Sequence, residues 1–297
     1  MALRQPFRLL KKILKNLYFL TFLNGFLIAS LFYFRMEGNY EDSLFASIKR
    51  SVDRQIDADD TQDSIVVKTM HVCNELLHNR ARIFSEDPID EGVKSDYFHP
   101  TSVDLMTTRG ACGSYSMVLA RLLQLSNYPI RIAQMKAHGI FAAHNVIEVY
   151  TNTGWAVLDP TFNVYFKKPG HSGMASFADV ESNWKYYISQ LPAGYDTSYK
   201  YEDVRYTNWE KIPVVLPAAK KLLGLFIGSQ KVDKISIRTY FLRMYNIYFV
   251  VTLLLYIPIF LLTFKRFVKT KIFPRPDIPI TFANLIKYSK PHFATAH

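Results

Sequence analysis

Two long uncharged runs limit what this chain can fold into. Leu17 to Phe34 spans 18 residues without a charge and Tyr245 to Phe264 spans 20, close to the ~20 apolar residues with which a helix crosses a bilayer. Tyrosines near the ends of both runs suit the membrane interface. A buried core helix is the competing reading of each. The first run could also be a cleaved leader, but it continues to Phe34 and then meets Arg35-Met36-Glu37 with no small-x-small site at its end. It therefore reads as a retained anchor.

Charge gathers outside these runs. Arg4, Arg8, Lys11, Lys12 and Lys15 give residues 1–16 a charge of +5, and residues 265–297 carry +6. The two tails account for the whole net charge of +11, leaving 24 bases and 24 acids between them. By the positive-inside rule both tails belong in the cytoplasm and the intervening domain lies across the membrane. A basic chain would otherwise suggest a nucleic-acid partner. Here the asymmetry explains the charge, no nucleic-acid motif occurs, and the expected partner is the lipid bilayer.

The chemistry-bearing residues fall in the neutral middle. Arg109-Gly110-Ala111-Cys112-Gly113-Ser114-Tyr115-Ser116 leads into Met117 to Leu125, helix formers without Gly or Pro. That places the Cys112 thiol in the first turn of a helix, where the macrodipole favours thiolate, the reactive form of cysteine. Asn145 to Tyr150 and Trp155 to Leu158 read as strands joined by the turn residues Thr151-Asn152-Thr153-Gly154. If Thr151 pairs with Gly154, His144 falls opposite Thr161, two residues from Asp159 and on its pleat face. A one-residue slip would separate them.

Cys112, His144 and Asp159 then form a candidate catalytic set. Cysteine is the nucleophile, histidine the base and then the acid, and aspartate holds the imidazole in its useful tautomer. The backbone N–H of Cys112 is a candidate oxyanion donor, and no second donor can be named. His138 is the rival base. Cys73, the only other cysteine, reads as a core thiol in a helix over Thr61 to Ile83. A structural disulfide would consume the nucleophile. His71 and His78 neighbour Cys73, but no further ligand lies at metal spacing, so no metal and no cofactor is expected.

Taken together, Gly110-x-Cys112-x-x-x-Ser116, Leu119-Ala120-Arg121, Tyr128-Pro129-Ile130-Arg131, His144-x-x-x-Glu148-Val149 and Gly154-Trp155-x-x-Leu158-Asp159-Pro160-Thr161 resemble the transglutaminase-like superfamily, a branch of the papain-like cysteine enzymes. The resemblance covers about Ile65 to Phe166. It implies an α+β papain/transglutaminase-like core, a nucleophile helix packed on an antiparallel sheet, here set between two transmembrane helices. It also implies the roles of nucleophile, base and orienting acid for Cys112, His144 and Asp159. The chain departs from many relatives at Ser126-Asn127-Tyr128, where they have Gly, and at Asn145-Val146, where they have Ala-Trp. Both departures bear on substrate preference.

The expected organisation is a basic cytoplasmic tail over 1–16, a span over 17–34, a helix or linker over 35–63, and a transglutaminase-like catalytic domain over 64–217. A membrane-proximal segment over 218–244, a second span over 245–264 and a basic cytoplasmic tail over 265–297 follow. Phe84 to Thr107 reads as a loop and Ser172 to Gln190 as a helix. The tyrosine-rich stretch Leu191 to Val215 reads as a satellite core or an aromatic substrate groove. Ala218 to Gly228 is apolar enough to lie in the interface.

Combined, these readings give a two-span protein of a bacterial cytoplasmic membrane whose periplasmic or external domain acts on amide or ester acyl groups of a peptide, protein or acylated envelope substrate. Hydrolysis is favoured over cross-linking, because nothing specifies a site that excludes water and receives an amine. A different class is a non-catalytic or accessory subunit of a polysaccharide or protein export and assembly complex. Reporter fusions at Leu3 and His297 should both behave as cytoplasmic. A fusion at either end that reports from outside overturns the charge-based topology.

Overall fold

The first apolar run opens a longer helix. In the computed structural model, which describes residues 16–86, 99–108, 111–137, 139–170 and 173–272, α1 runs over Leu17–Asp53 without a break. The stretch 35–63, read as a helix or linker, is thus helical as far as Asp53, since no proline interrupts it. The second run lies in a late helix, Met244–Phe267, with Pro258 inside it. Both helices are long and apolar enough to cross a membrane. The basic segments 1–15 and 273–297, His138 and the Arg109-Gly110 step lie outside the described residues.

Contacts divide the chain into two units, one of residues 1–32 with 250–297 and one of residues 33–249. In the first, the Asn24 side chain donates to Thr263 Oγ1 at 2.7 Å, a polar link between the two uncharged runs. Such bonds are worth roughly 0.6–2 kcal/mol in lipid.

The second unit is α+β and contains the sheet. After α2 (Gln62–Glu86), α3 (Thr101–Thr107) and α4 (Cys112–Leu125) come β1 (Ile130–Ala137), β2 (Ile140–Thr151), β3 (Gly154–Asp159) and β4 (Val164–Tyr165). Two short helices, α5 (Phe177–Ser182) and α6 (Trp184–Tyr187), precede β5 (Val204–Arg205). The strands pair antiparallel throughout in the order β4-β3-β2-β1-β5.

The sheet is covered on both faces, which is why its strands are apolar at successive positions rather than alternate ones. Ile132, Ile147, Val149, Ala156 and Leu158 pack with Leu119, Leu122 and Leu123 of α4 and with Val66, Met70, Cys73 and Leu77 of α2. The intervening Ala133, Met135, Val146 and Val157 pack instead with Phe166, Phe177, Tyr187, Tyr195 and Tyr201. The tyrosine-rich stretch after residue 190 is therefore largely a second core.

Several local expectations change. Residues 101–107 of the expected loop are helix α3, and residues 87–98 lie outside the described residues. The single helix expected over Ser172 to Gln190 is instead α5, α6 and a 3-10 turn, Ile188–Gln190. Its start is fixed by a capping box between Ser176 and Asp179, and Asn183, at φ −136°, breaks it.

The domain also extends past both expected boundaries. Phe45 of α1 belongs to the first core, and Arg121 of α4, 1% exposed, pairs with Asp42 of α1, which Arg243 also approaches. Downstream, α7 (Val215–Ile227) buries none of its residues, and α8 (Ser229–Asp233) follows it. The chain then returns to the sheet. The Ser236 hydroxyl accepts from the Ile132 N–H at 3.1 Å and donates to the Ile132 carbonyl at 3.0 Å. Leu242, in the 3-10 segment Ile237–Arg243 that enters α9 (Met244–Phe267), is buried in the first core. The segment 218–244 is thus partly a wall of the domain.

Arg121 is buried while its partner Asp42 is one-third exposed, so removing the carboxylate strands a buried charge. Asp42→Ala should lower the stability of the full chain in detergent by about 3 kcal/mol. Asp53→Ala, which breaks an exposed pair with Lys49, should cost under about 1 kcal/mol. Thermal unfolding of both variants checks the contrast, and equal losses overturn it.

Candidate active site

The Cys112 thiol is placed by the start of α4. Cys112 is the first helical residue, so its N–H has no intrahelical acceptor. Ala111 before it is held at φ 43°, ψ −119°, a conformation that a side chain rarely adopts. Below the thiol, Ser114 Oγ donates to Asp104 Oδ1 at 2.7 Å, and His99 Nε2 lies 2.9 Å from the same oxygen. Here the carboxylate stands between serine and histidine and Ser114 is buried, so this trio ties α3 to α4 and is not a nucleophile relay.

The hairpin brings up the imidazole. Thr151 pairs with Gly154, which takes φ 108° in the turn, and the register continues to Ile147 opposite Leu158. His144 and Asp159 meet at the far end, with Nε2 2.7 Å from Oδ2 and both side chains buried. Against β1 the register jumps: Met135 faces His144 while Lys136 faces Phe141, so Ala142 and Ala143 form a bulge directly before the histidine. Bulges of this kind re-aim the residues beside them. Asp159 Oδ1 accepts from the N–H groups of Thr161 and Phe162, which fixes the carboxylate.

With Nε2 committed to Asp159, the imidazole lies close enough to Cys112 for each group to shift the other's titration. The Tyr199 ring stacks on the imidazole at 4.5 Å and 15°, and Phe162 lies at 5.6 Å. Burial alone would lower the His144 pKa, but the Asp159 carboxylate, aided by Cys112, raises it to about 9. Burial likewise pushes the Cys112 thiol up, yet His144 and then Asn145 outweigh it and hold the thiol below its ordinary value. Both shifts move the pair toward thiolate and imidazolium. Cys73, fully buried beside the Tyr115 carbonyl, is pushed far the other way.

Asn145 is the residue that the sequence did not reveal as part of the site. Its Nδ2 donates to Cys112 Sγ at 3.5 Å, and its Oδ1 accepts from Arg238 Nη1 at 2.9 Å. A guanidinium only donates, so Arg238 fixes which end of the amide faces the sulfur. Asn145 Nδ2 and the Cys112 N–H are therefore two donors converging beside the thiol. A polar side chain between His144 and the apolar Val146-Ile147 was the only local signal for Asn145, and nothing in the sequence pointed to Arg238.

Among the described residues no group of three His, Cys, Asp or Glu side chains could hold a metal ion. His71 is engaged by Asn163 at 2.7 Å, and the rival base His138 lies outside the described residues. A cleft of about 760 Å³ lined by Asp63, Thr153, Tyr165 and Lys167 sits at the hairpin-turn end of the sheet. None of Cys112, His144 and Asp159 lines it, so it is separate from the thiol.

Iodoacetamide reports thiolate directly. At pH 6.5 Cys112 should react about tenfold faster than a free thiol of pKa about 8.5, and Cys73 should stay unlabelled. The rate should not fall as pH passes 9, because alkylation needs no proton donor, and His144→Ala should remove the acceleration. Equal, slow labelling of both cysteines overturns the thiolate–imidazolium pair. No family model matches the chain and no curated protein or solved structure matches it, so the site's chemistry is read from its own geometry.

Proposed function

We propose that this chain is a membrane-anchored cysteine enzyme of the transglutaminase-like type, acting outside the cytoplasm on amide or ester acyl groups. The observation that carries the reading is the contact chain Cys112–His144–Asp159, with Asn145 on the same sulfur. The Cys112 thiolate adds to the acyl carbon, a C–S bond forms, and the carbonyl electron pair moves to oxygen beside the Cys112 N–H and Asn145 Nδ2. Collapse expels the amine or alcohol, which leaves with the proton from His144. Water, deprotonated by His144, then attacks the thioester; the acid departs and the thiolate and imidazolium are restored.

Hydrolysis follows from this cycle whenever water is the second acceptor. Transfer to an amine shares the first half, but it needs a bound amine and an excluded water, for which no residue group is identified. The position outside the cytoplasm is supported by the two apolar helices and by the basic tails flanking them.

A small activated ester tests the reading without the natural substrate. The full chain in detergent, mixed with p-nitrophenyl acetate, should give a burst of about one nitrophenolate per chain, with the acetyl group on Cys112 by mass spectrometry. His144→Ala should slow acylation by roughly 10²–10⁴-fold, and Asp159→Asn by less. Nitrophenolate leaves without a proton, so this burst should persist as pH rises through about 9, whereas turnover of an amide, whose amine must leave protonated, should fall there as the raised His144 loses the proton it donates. A burst that survives in Cys112→Ala overturns the assignment.

A further inference from the structure

The residues around Asn145 form a polar row across three strands. Arg205, Gln134 and Asn145 are direct cross-strand partners on β5, β1 and β2, so their side chains stand side by side on one face of the sheet. Arg205 Nε donates to Gln134 Oε1 at 3.0 Å, and its guanidinium lies over the Phe141 ring at 4.8 Å. Arg238 reaches the far end of the row through Asn145 Oδ1. It is one amide group from the Cys112 sulfur and feels the charges of both Arg205 and Cys112.

What this row lacks is a carboxylate. Among the described residues neither Arg205 nor Arg238 has a carboxylate partner. The nearest acid in sequence, Asp203, pairs with Lys136 at 3.7 Å. Three other arginines of the domain do have carboxylates, Arg121 and Arg243 sharing Asp42 and Arg131 facing Glu148, while Arg50 and Arg80 bond the Ser47 hydroxyl and the Leu76 carbonyl on their own helices. The two guanidiniums repel one another, and the charge that Arg238 feels in compensation is that of Cys112 itself. Each retains N–H donors in the planar fork that fits a carboxylate.

We propose that Arg205 and Arg238 form an anion subsite beside Cys112, and that the acyl compound attacked there carries a carboxylate close to the reacting group. Arg238 then has two duties: it orients the Asn145 amide and it attracts the substrate's charge. Arg205, which touches no group of the reacting set, contributes charge alone. This inference rests on the cysteine-enzyme reading above and narrows its substrate class to acidic acyl compounds.

Iodoacetate and iodoacetamide deliver the same alkylating carbon with and without a carboxylate. Their rate ratio at Cys112, measured on the full chain in detergent and referred to the ratio for N-acetylcysteine, isolates the subsite from thiolate activation. The expected ratio is at least about threefold above the reference, and 0.5 M salt should reduce it through screening. Arg205→Gln should return it to the reference, Arg238→Gln should do so too, and Arg205→Lys should keep most of it. Protection of Cys112 from iodoacetamide identifies the source of the carboxylate. N-acetyl-glycylglycine offers a terminal one and N-acetyl-glutamylglycinamide a side-chain one, and at least one should protect better than neutral N-acetyl-glycylglycinamide.

A ratio equal to the reference, or one unmoved by both glutamine variants, overturns the subsite while fast iodoacetamide labelling leaves the nucleophile standing. Protection no better than that of the neutral peptide in both arms overturns it as well. Slow labelling by iodoacetamide itself removes the activated cysteine, and the substrate subsite falls with it.

Discussion

His144 and Asp159 are both taken out of water, and each is tolerable there because the other lies 2.7 Å away. That requirement reaches through the whole hairpin. Only the register that pairs Thr151 with Gly154 brings the two ends of β2 and β3 to this meeting, and a slip by one residue would leave a buried carboxylate without its partner. The same aspartate closes the turn into Phe162, whose ring lies against the imidazole and against Tyr195. One carboxylate thereby orients the imidazole, fixes a turn and seats an aromatic wall.

The Cys112 thiol is held from a different direction. Helix α4 meets the sheet through its apolar face, but its position along the sheet is pinned by polar contacts. Ser116 Oγ donates to the Asn145 carbonyl at 3.1 Å, next to the histidine, and Arg121 ties the helix to Asp42. The chain on either side of the sheet therefore takes part in the site: α1 supplies Asp42, and the return segment before α9 supplies Arg238. A fragment limited to residues 64–217 would lack both.

Much of this was legible in the sequence for a physical reason. Hairpin register follows from turn chemistry and period-two counting, both local, so the approach of His144 to Asp159 could be derived by counting outward from Thr151. The placement of Cys112 at a helix start followed from glycines before a run of helix formers. What could not be read depends on contacts remote in sequence. Arg238 stands 93 residues from Asn145, and no periodicity links an exposed arginine to a distant amide. The bulge at Ala142-Ala143 is likewise invisible, because it shows only against the strand it fails to match. The division of the 172–190 stretch into short helices depends on Asn183, whose preference for non-helical backbone prevails where no strong apolar stripe opposes it.

Ala111 stores energy in its backbone. A residue with a Cβ at φ 43°, ψ −119° carries of order 1–3 kcal/mol of backbone strain, a load that glycine would shed at once. The fold thus spends part of its stability on the peptide immediately before the thiol. Relaxing it would make a tougher molecule with a looser sulfur.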